Sequence, residues 1–186
     1  MESGMLLIDI DRCIRCFACE VACKQENDLP PEPRAASVIT IEPRTINGEL
    51  TADFVFTTCV QCDDPLCRAV CPHGAILKRT DDVVIVDKNA CKGCGYCIYA
   101  CPFGAIQINP GTKTAWKCSL CIDRLEYGLA PSCVQHCSGG ALQYITTREF
   151  DTATKGRHNV YAGKVCYSST RWRLSEPHAG YRSLPE

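Results

Sequence analysis

Apolar positions along this chain come in short alternating stretches separated by turn residues. From Met5 to Asp11 apolar and acidic residues alternate, which predicts a strand, and the stretch from Phe17 to about Asn27 predicts a helix. Leu29-Pro-Pro-Glu-Pro-Arg34 then interrupts any regular structure. Ser37 to Glu42 and Thr51 to Thr57 flank Asn47-Gly48, a strong hairpin signal. A second hairpin is predicted for Ala75 to Lys78 with Val83 to Asp87, across Thr80-Asp81-Asp82. A third joins Ile106 to Ile108 with Thr114 to Trp116, across Pro110-Gly111. Asp123 to Tyr127 and Pro131 to Cys137 predict short helices. The result is an α+β pattern of small pieces, too small to supply a full core by themselves.

No apolar stretch approaches the roughly 18 to 20 residues that span a bilayer. The apolar run Met5 to Ile8 ends at Asp9 and is too short for a secretory core, so a soluble, cytoplasmic protein without direct membrane insertion is expected. The 186 residues are 46% apolar and 22% charged with net charge −1, a composition that argues against a disordered tail or a nucleic-acid binder. The anomaly is 17 cysteines. In a reducing compartment such density points to metal rather than disulfides, and an odd total agrees.

Sixteen of the cysteines fall into four runs. Run one is Cys13, Cys16, Cys19, Cys23; run two is Cys59, Cys62, Cys67, Cys71; run three is Cys91, Cys94, Cys97, Cys101; run four is Cys118, Cys121, Cys133, Cys137. Run three, followed by Pro102, has the full bacterial ferredoxin spacing. Cys71-Pro-His-Gly-Ala-Ile and Cys101-Pro-Phe-Gly-Ala-Ile are near copies, with a weaker echo in Cys137-Ser-Gly-Gly-Ala-Leu. Such internal repetition marks a repeated unit: a cysteine loop, a short helix stopped by Pro72 or Pro102, then a strand.

The spacing suits iron–sulfur clusters. The third and fourth cysteines of a run are i and i+4, which on a helix is one turn, roughly 6 Å of rise, with both thiols on one face. The two sulfurs then reach neighbouring clusters, so runs work in pairs. Gly93 and Gly95 allow run three a loop with positive φ. Ile14, Phe17, Leu66, Ile98, Tyr99, Phe103 and Ile106 are candidates for apolar cover over the clusters. Structural zinc is the competing reading for run four, whose middle gap is eleven residues. Cys166 is left over and is expected as a buried free thiol.

Residues 146–186 carry no ligand run. Arg148, Lys155, Arg157, Lys164, Arg171, Arg173 and Arg182 outnumber Glu149, Asp151, Glu176 and Glu186, and Tyr161, Tyr167, Trp172 and Tyr181 interleave with them. This composition suits a partner-subunit interface. No Ser/His/Asp arrangement, H-E-x-x-H or phosphate-binding glycine loop points to substrate chemistry.

The four runs, in this order and with these spacings, resemble the iron–sulfur electron-transfer subunits of the dimethyl sulfoxide reductase type. That family includes the corresponding subunits of formate dehydrogenases and of nitrate, polysulfide and thiosulfate reductases. Similar polyferredoxin subunits accompany tungsten enzymes of the aldehyde oxidoreductase family, including tungsten-dependent benzoyl-CoA reductases. The resemblance covers residues 5 to 146. It implies two pseudo-symmetric bacterial ferredoxin-like modules, run one pairing with run four and run two with run three, with small hairpins and short helices around four [4Fe–4S] clusters. One cluster would use Cys13, Cys16, Cys19 and Cys137, and its neighbour Cys23, Cys118, Cys121 and Cys133. The others would use Cys59, Cys62, Cys67 and Cys101, and Cys71, Cys91, Cys94 and Cys97.

On this basis residues 1–52 carry the first run and a hairpin, and 53–110 the central two-cluster module. Residues 111–146 carry the fourth run, packed with the first, and 147–186 form a partner-binding extension. The implied role is a non-catalytic relay of single electrons to or from a molybdenum- or tungsten-pterin subunit of anaerobic metabolism, with a further electron-transfer protein or membrane subunit as a second partner. A free-standing polyferredoxin carrier is the alternative. Run four departs from the family by ending Cys137-Ser138 where Cys-Pro is usual. An oxidised cluster with its four thiolates carries −2, so four would take the chain from −1 to about −9.

Overall fold

A computed structural model describes residues 4–46 and 48–171. β1 (Gly4–Asp9) leads through a short 3-10 turn (Ile10–Arg12) to α1 (Ala18–Glu26). A long ribbon follows, β2 (Ala36–Ile46) with β3 (Glu49–Thr58). The middle of the chain holds α2 (Leu66–Ala69), β4 (Ile76–Lys78), β5 (Val84–Val86), α3 (Tyr96–Ala100), β6 (Gln107–Ile108) and β7 (Ala115–Trp116). It closes with α4 (Ile122–Glu126), α5 (Ser132–Gln135), β8 (Leu142–Thr146), α6 (Thr147–Thr154), β9 (His158–Ala162) and β10 (Val165–Ser169). No helix among the described residues is long and apolar enough to cross a membrane.

The main sheet has the order β8-β1-β10-β9, with β1 antiparallel to β8 and parallel to β10. The period-2 geometry of β1 divides its side chains between two cores. Leu6 and Ile8 pack with Cys19, Cys23, Phe56, Leu120, Leu142 and Val165, on the side that holds ligand cysteines. Leu7 points the other way, against Ile145, Phe150 and Cys166 under α6. Cys166 is therefore wholly buried, at 0% exposure, on the sheet face turned from the ligand runs. A separate core joins Ile76, Val84, Ile106 and Ala115 to Cys67, Cys71, Cys91, Cys97 and Cys101.

The three predicted hairpins form, β2–β3 being longer than expected and irregular between Ile41 and Arg44. The first strand is shorter than expected. The Asp9 carboxylate accepts the Asp11 N–H at 3.1 Å and turns the chain out of the sheet. Lys24, in the last turn of α1, donates to the carbonyls of Pro30, Pro31 and Pro33 and so organises the proline-rich interruption.

The stretch after β8 forms an integral part of the sheet. α6 begins with a Thr146/Glu149 capping box. The β9–β10 turn then presses Gly163 so close to the run-two loop that a Cβ there would lie 2.3 Å from the Val60 carbonyl. Asp11 accepts hydrogen bonds from Ser169 at 2.6 Å, the Thr170 N–H at 2.7 Å and Arg171 at 3.0 Å, and pairs with Arg157 at 3.2 Å. Burial would raise its carboxyl pKa, but these hydrogen bonds outweigh it and hold the group at about 2. Of the interleaved aromatics, Tyr161 is exposed and Tyr167 half-buried, while Trp172, Arg173, Tyr181 and Arg182 lie outside the described residues. The expected boundaries at 52 and 110 fall within β3 and within the β6–β7 hairpin.

Candidate metal centres

The cysteines of the four runs gather in quartets that mix the runs. Cys13, Cys16, Cys19 and Cys137 line one cavity with Ile8, Phe17, Phe56 and Leu142. Cys23, Cys118, Cys121 and Cys133 line a second, with Leu6, Leu120, Pro131 and again Phe56. Cys71, Cys91, Cys94 and Cys97 line a third, beside Ile76, Tyr96 and Ala115. Around the remaining four, Cys67 feels the charges of Cys59 and Cys101, and Cys62 that of Cys101. Run four is thus split, with Cys137 on a different cavity from its other three members. That geometry disfavours a closed zinc site made of run four alone.

The i, i+4 offset produces the mixing in two ways. Cys19 and Cys23 both lie within α1, one turn apart, and open onto the first and second cavities. In runs two, three and four the short helix instead ends before or at the fourth cysteine. At Cys101 the cause is Pro102, which pushes its predecessor out of helical geometry, to φ −85 and ψ 109.

The repeated Cys-x-x-Gly-Ala segment has a physical purpose. Gly74, Gly104 and Gly140 all take positive φ near 60°, which turns the following N–H back onto the cysteine. Ala75 donates to Cys71 at 3.3 Å, Ala105 to Cys101 at 3.4 Å and Ala141 to Cys137 at 3.2 Å. Run one lacks the motif, and there the Asn27 side-chain amide approaches the Cys23 sulfur at 3.9 Å. The N–H groups of Ala115 and Leu120 add bonds to Cys91 and Cys118, both at 3.3 Å. Such donors stabilise thiolate and tune any bound cluster.

The buried thiols call for a cation among them. Burial, reinforced by neighbouring cysteines, pushes Cys19 and Cys23 up to about 12. Burial with the same crowding pushes Cys67 and Cys121 to about 11 and Cys133 well above the ordinary thiol value. Four converging thiols in an apolar cavity ionise together only around a cationic core, which an iron–sulfur cluster provides. Cys16 departs from this pattern: the Ser138 hydroxyl, 3.5 Å away, lowers it. Cys16 and Cys94 are the two exposed members of the sixteen.

The predicted apolar cover divides. Ile106 is buried and Ile98 half-buried, whereas Ile14, Phe17, Leu66 and Phe103 are exposed and Tyr99 is 91% exposed. Those five form outer rims rather than core. Sequence reading overlooked Asn27, Gln61 and Lys117. Gln61, fully buried with φ 57, accepts the Val84 N–H and donates to the Cys118 carbonyl, both at 2.8 Å. Lys117 carries no sequence signal, being one of two lysines in Thr112-Lys113-Thr114-Ala115-Trp116-Lys117.

Two family models, both described as a 4Fe-4S dicluster domain, match residues 50–147 and 12–75. They define the class as a [4Fe–4S] protein, and two dicluster domains correspond to four clusters. The thiosulfate reductase electron transfer subunit of Salmonella typhi is 42% identical over 179 residues, 94% of this chain and 93% of that protein. A subunit of the tetrathionate reductase of Salmonella typhimurium is 44% identical over 137 residues, 73% of this chain and 55% of that protein, so the chain spans about half of its length. The iron–sulfur subunit of the nitrate-inducible formate dehydrogenase of Escherichia coli is 35% identical over 159 residues, 77% of this chain and 54% of that protein. This protein belongs to the family of iron–sulfur electron-transfer subunits, which are not the catalytic subunits of their complexes.

Proposed function

We propose that the four quartets hold the four clusters as a linear relay that serves a molybdenum- or tungsten-pterin catalytic subunit. When bound, each cluster supplies a one-electron site. The chain's own residues set the order. Cys19 and Cys23 of α1 link the first cavity to the second, and Cys59 and Cys118, bridged by Gln61 and Lys117, link the second to the quartet of Cys59, Cys62, Cys67 and Cys101. Cys97, the second residue of α3, and Cys101, which caps its C-terminus, link that quartet to the last one, of Cys71, Cys91, Cys94 and Cys97. Run one pairs with run four and run two with run three, giving two pseudo-symmetric modules.

The observation that carries this reading is the placement of the two exposed cysteines. Cys16 belongs to the first quartet and Cys94 to the last, so each terminus of the relay places one cysteine among the exposed residues, while the cysteines of the two middle quartets are buried or half-buried. Exposed apolar residues border each end, Ile14, Phe17 and Val21 at one and Tyr96, Tyr99 and Phe103 at the other. Catalytic subunit and second redox partner would dock at these two ends. The test is anaerobic purification with iron and sulfide analysis and EPR. About four clusters per chain, reducible in steps and retained with a stoichiometric large partner, are expected. Markedly fewer clusters, or no reducible signal, would sink the relay, and a chain that purifies alone would favour a diffusing carrier.

A further inference from the structure

Lys117 is 2% exposed, an uncommon place for a lysine unless its charge is satisfied. Its ammonium contacts the carbonyls of Val84 and of Cys118, the latter at 2.9 Å, the Gln61 amide oxygen at 3.4 Å and the Cys59 sulfur at 3.5 Å. No carboxylate is among these partners. Its partners are two backbone carbonyls, one amide oxygen and one cysteine sulfur. Its surroundings are held in place, because Gln61 is itself fixed between Val84 and Cys118. The cation therefore sits where a run-two cysteine meets the run-four backbone, at the junction of the two modules.

We propose that Lys117 is the electrostatic bridge between the modules, a fixed buried charge that eases passage of an electron from one cluster pair to the other. This rests on the quartets proposed above. A positive charge beside thiolates stabilises whichever redox state is more negative, so Lys117 raises the reduction potential on both sides of the junction. With clusters held in the flanking quartets, an electron passing from one to the other would leave the net charge near Lys117 unchanged.

The test compares anaerobically prepared holoprotein with its Lys117→Met and Lys117→Arg variants by EPR-monitored redox titration. Expected for Lys117→Met is unchanged iron content and a downward shift of two of the four midpoint potentials. The shift expected is about tenfold in the one-electron equilibrium, ~59 mV. Lys117→Arg, which keeps the charge, should stay near the parent. Full iron content with no potential moved, or with all four moved alike, overturns the proposal while leaving the relay intact. Fewer than four clusters in the parent protein is a failure of the relay itself.

Should the methionine variant lose clusters, the parent protein labelled with 15N at lysine Nζ remains informative. Hyperfine spectroscopy of the reduced state should then show a 15N coupling that disappears in Lys117→Arg. Absence of that coupling rejects the bridge.

Discussion

Cys19 and Cys23 stand one helical turn apart on α1 yet open onto different cavities, the first shared with Cys137 and the second with Cys118, Cys121 and Cys133. Substituting either with serine should therefore alter a single cluster, and not the same one. EPR of the two variants should show two different reduced signals changed or lost. If both variants perturb one and the same signal, the quartets are wrongly drawn.

Ser138 follows Cys137 where the equivalent Cys71 and Cys101 are followed by Pro72 and Pro102, and its hydroxyl lies 3.5 Å from the Cys16 sulfur. Removing this donor with Ser138→Ala should lower the potential of the cluster held by Cys16 and leave cluster content unchanged. Ser138→Pro should do the same. A redox titration in which that potential stays put would show that the hydroxyl does not donate to the ligand.

Gly93 combines φ of 68° with a backbone oxygen, that of Lys113, 2.1 Å from where a Cβ would sit. Gly93→Ala should cost about 3 kcal/mol and weaken the quartet of Cys71, Cys91, Cys94 and Cys97 first. Gly48→Ala, with positive φ but open space, should cost only about 1 kcal/mol. Thermal unfolding and iron retention of the two variants, measured side by side, check the contrast.

Asp11 gathers Ser169, Thr170, Arg157 and Arg171 onto one carboxylate. Asp11→Ala should destabilise the fold by about 2 to 3 kcal/mol, since hydrogen bonds to charged groups are lost and two arginines lose a partner. Amide hydrogen exchange should quicken in β1 and β10 before it does in β4 and β5. Uniform loss of protection would contradict a local anchor.

Iron removal should unfold much of the chain. Cys19, Cys23, Cys59 and Cys97 are themselves buried core residues, and the hairpins outside the main sheet are mostly two or three residues per strand. Treatment with an iron chelator under reducing conditions should abolish the near-ultraviolet circular dichroism of the protein. Retention of native-like tertiary signal would show that the polypeptide packs without its metal.

What the sequence disclosed was what local spacing determines. Asn47-Gly48 and Pro110-Gly111 mark hairpins through turn chemistry, and the offset of Cys19 from Cys23 marks a helix face through its period. The Cys-x-x-Gly-Ala repeat was visible too, although its N–H to sulfur bond appears only with the positive φ of Gly74, Gly104 and Gly140. Hidden were relationships across long separations. Val165 pairs with Leu6 in a parallel register that no local pattern encodes. Nothing in the basic character of residues 146–186 distinguishes Arg157 and Arg171, spent on Asp11, from cations left to a partner. Lys117 was illegible for the same reason, its acceptors coming from Cys59, Gln61 and Val84.

The parallel pairing of β1 with β10 also dictates an order in time. Residues 59 to 101 contain every cysteine of runs two and three, so the central pair can assemble once that contiguous segment has left the ribosome. The other pair needs Cys13 and Cys137 together, and the sheet behind it closes only when Val165 to Ser169 arrive beside Leu6 to Asp9. A nascent chain therefore exposes half-built metal sites at its N-terminus through most of its synthesis, and truncation before β10 should leave the first-made ligands as the last to be sheltered from oxygen.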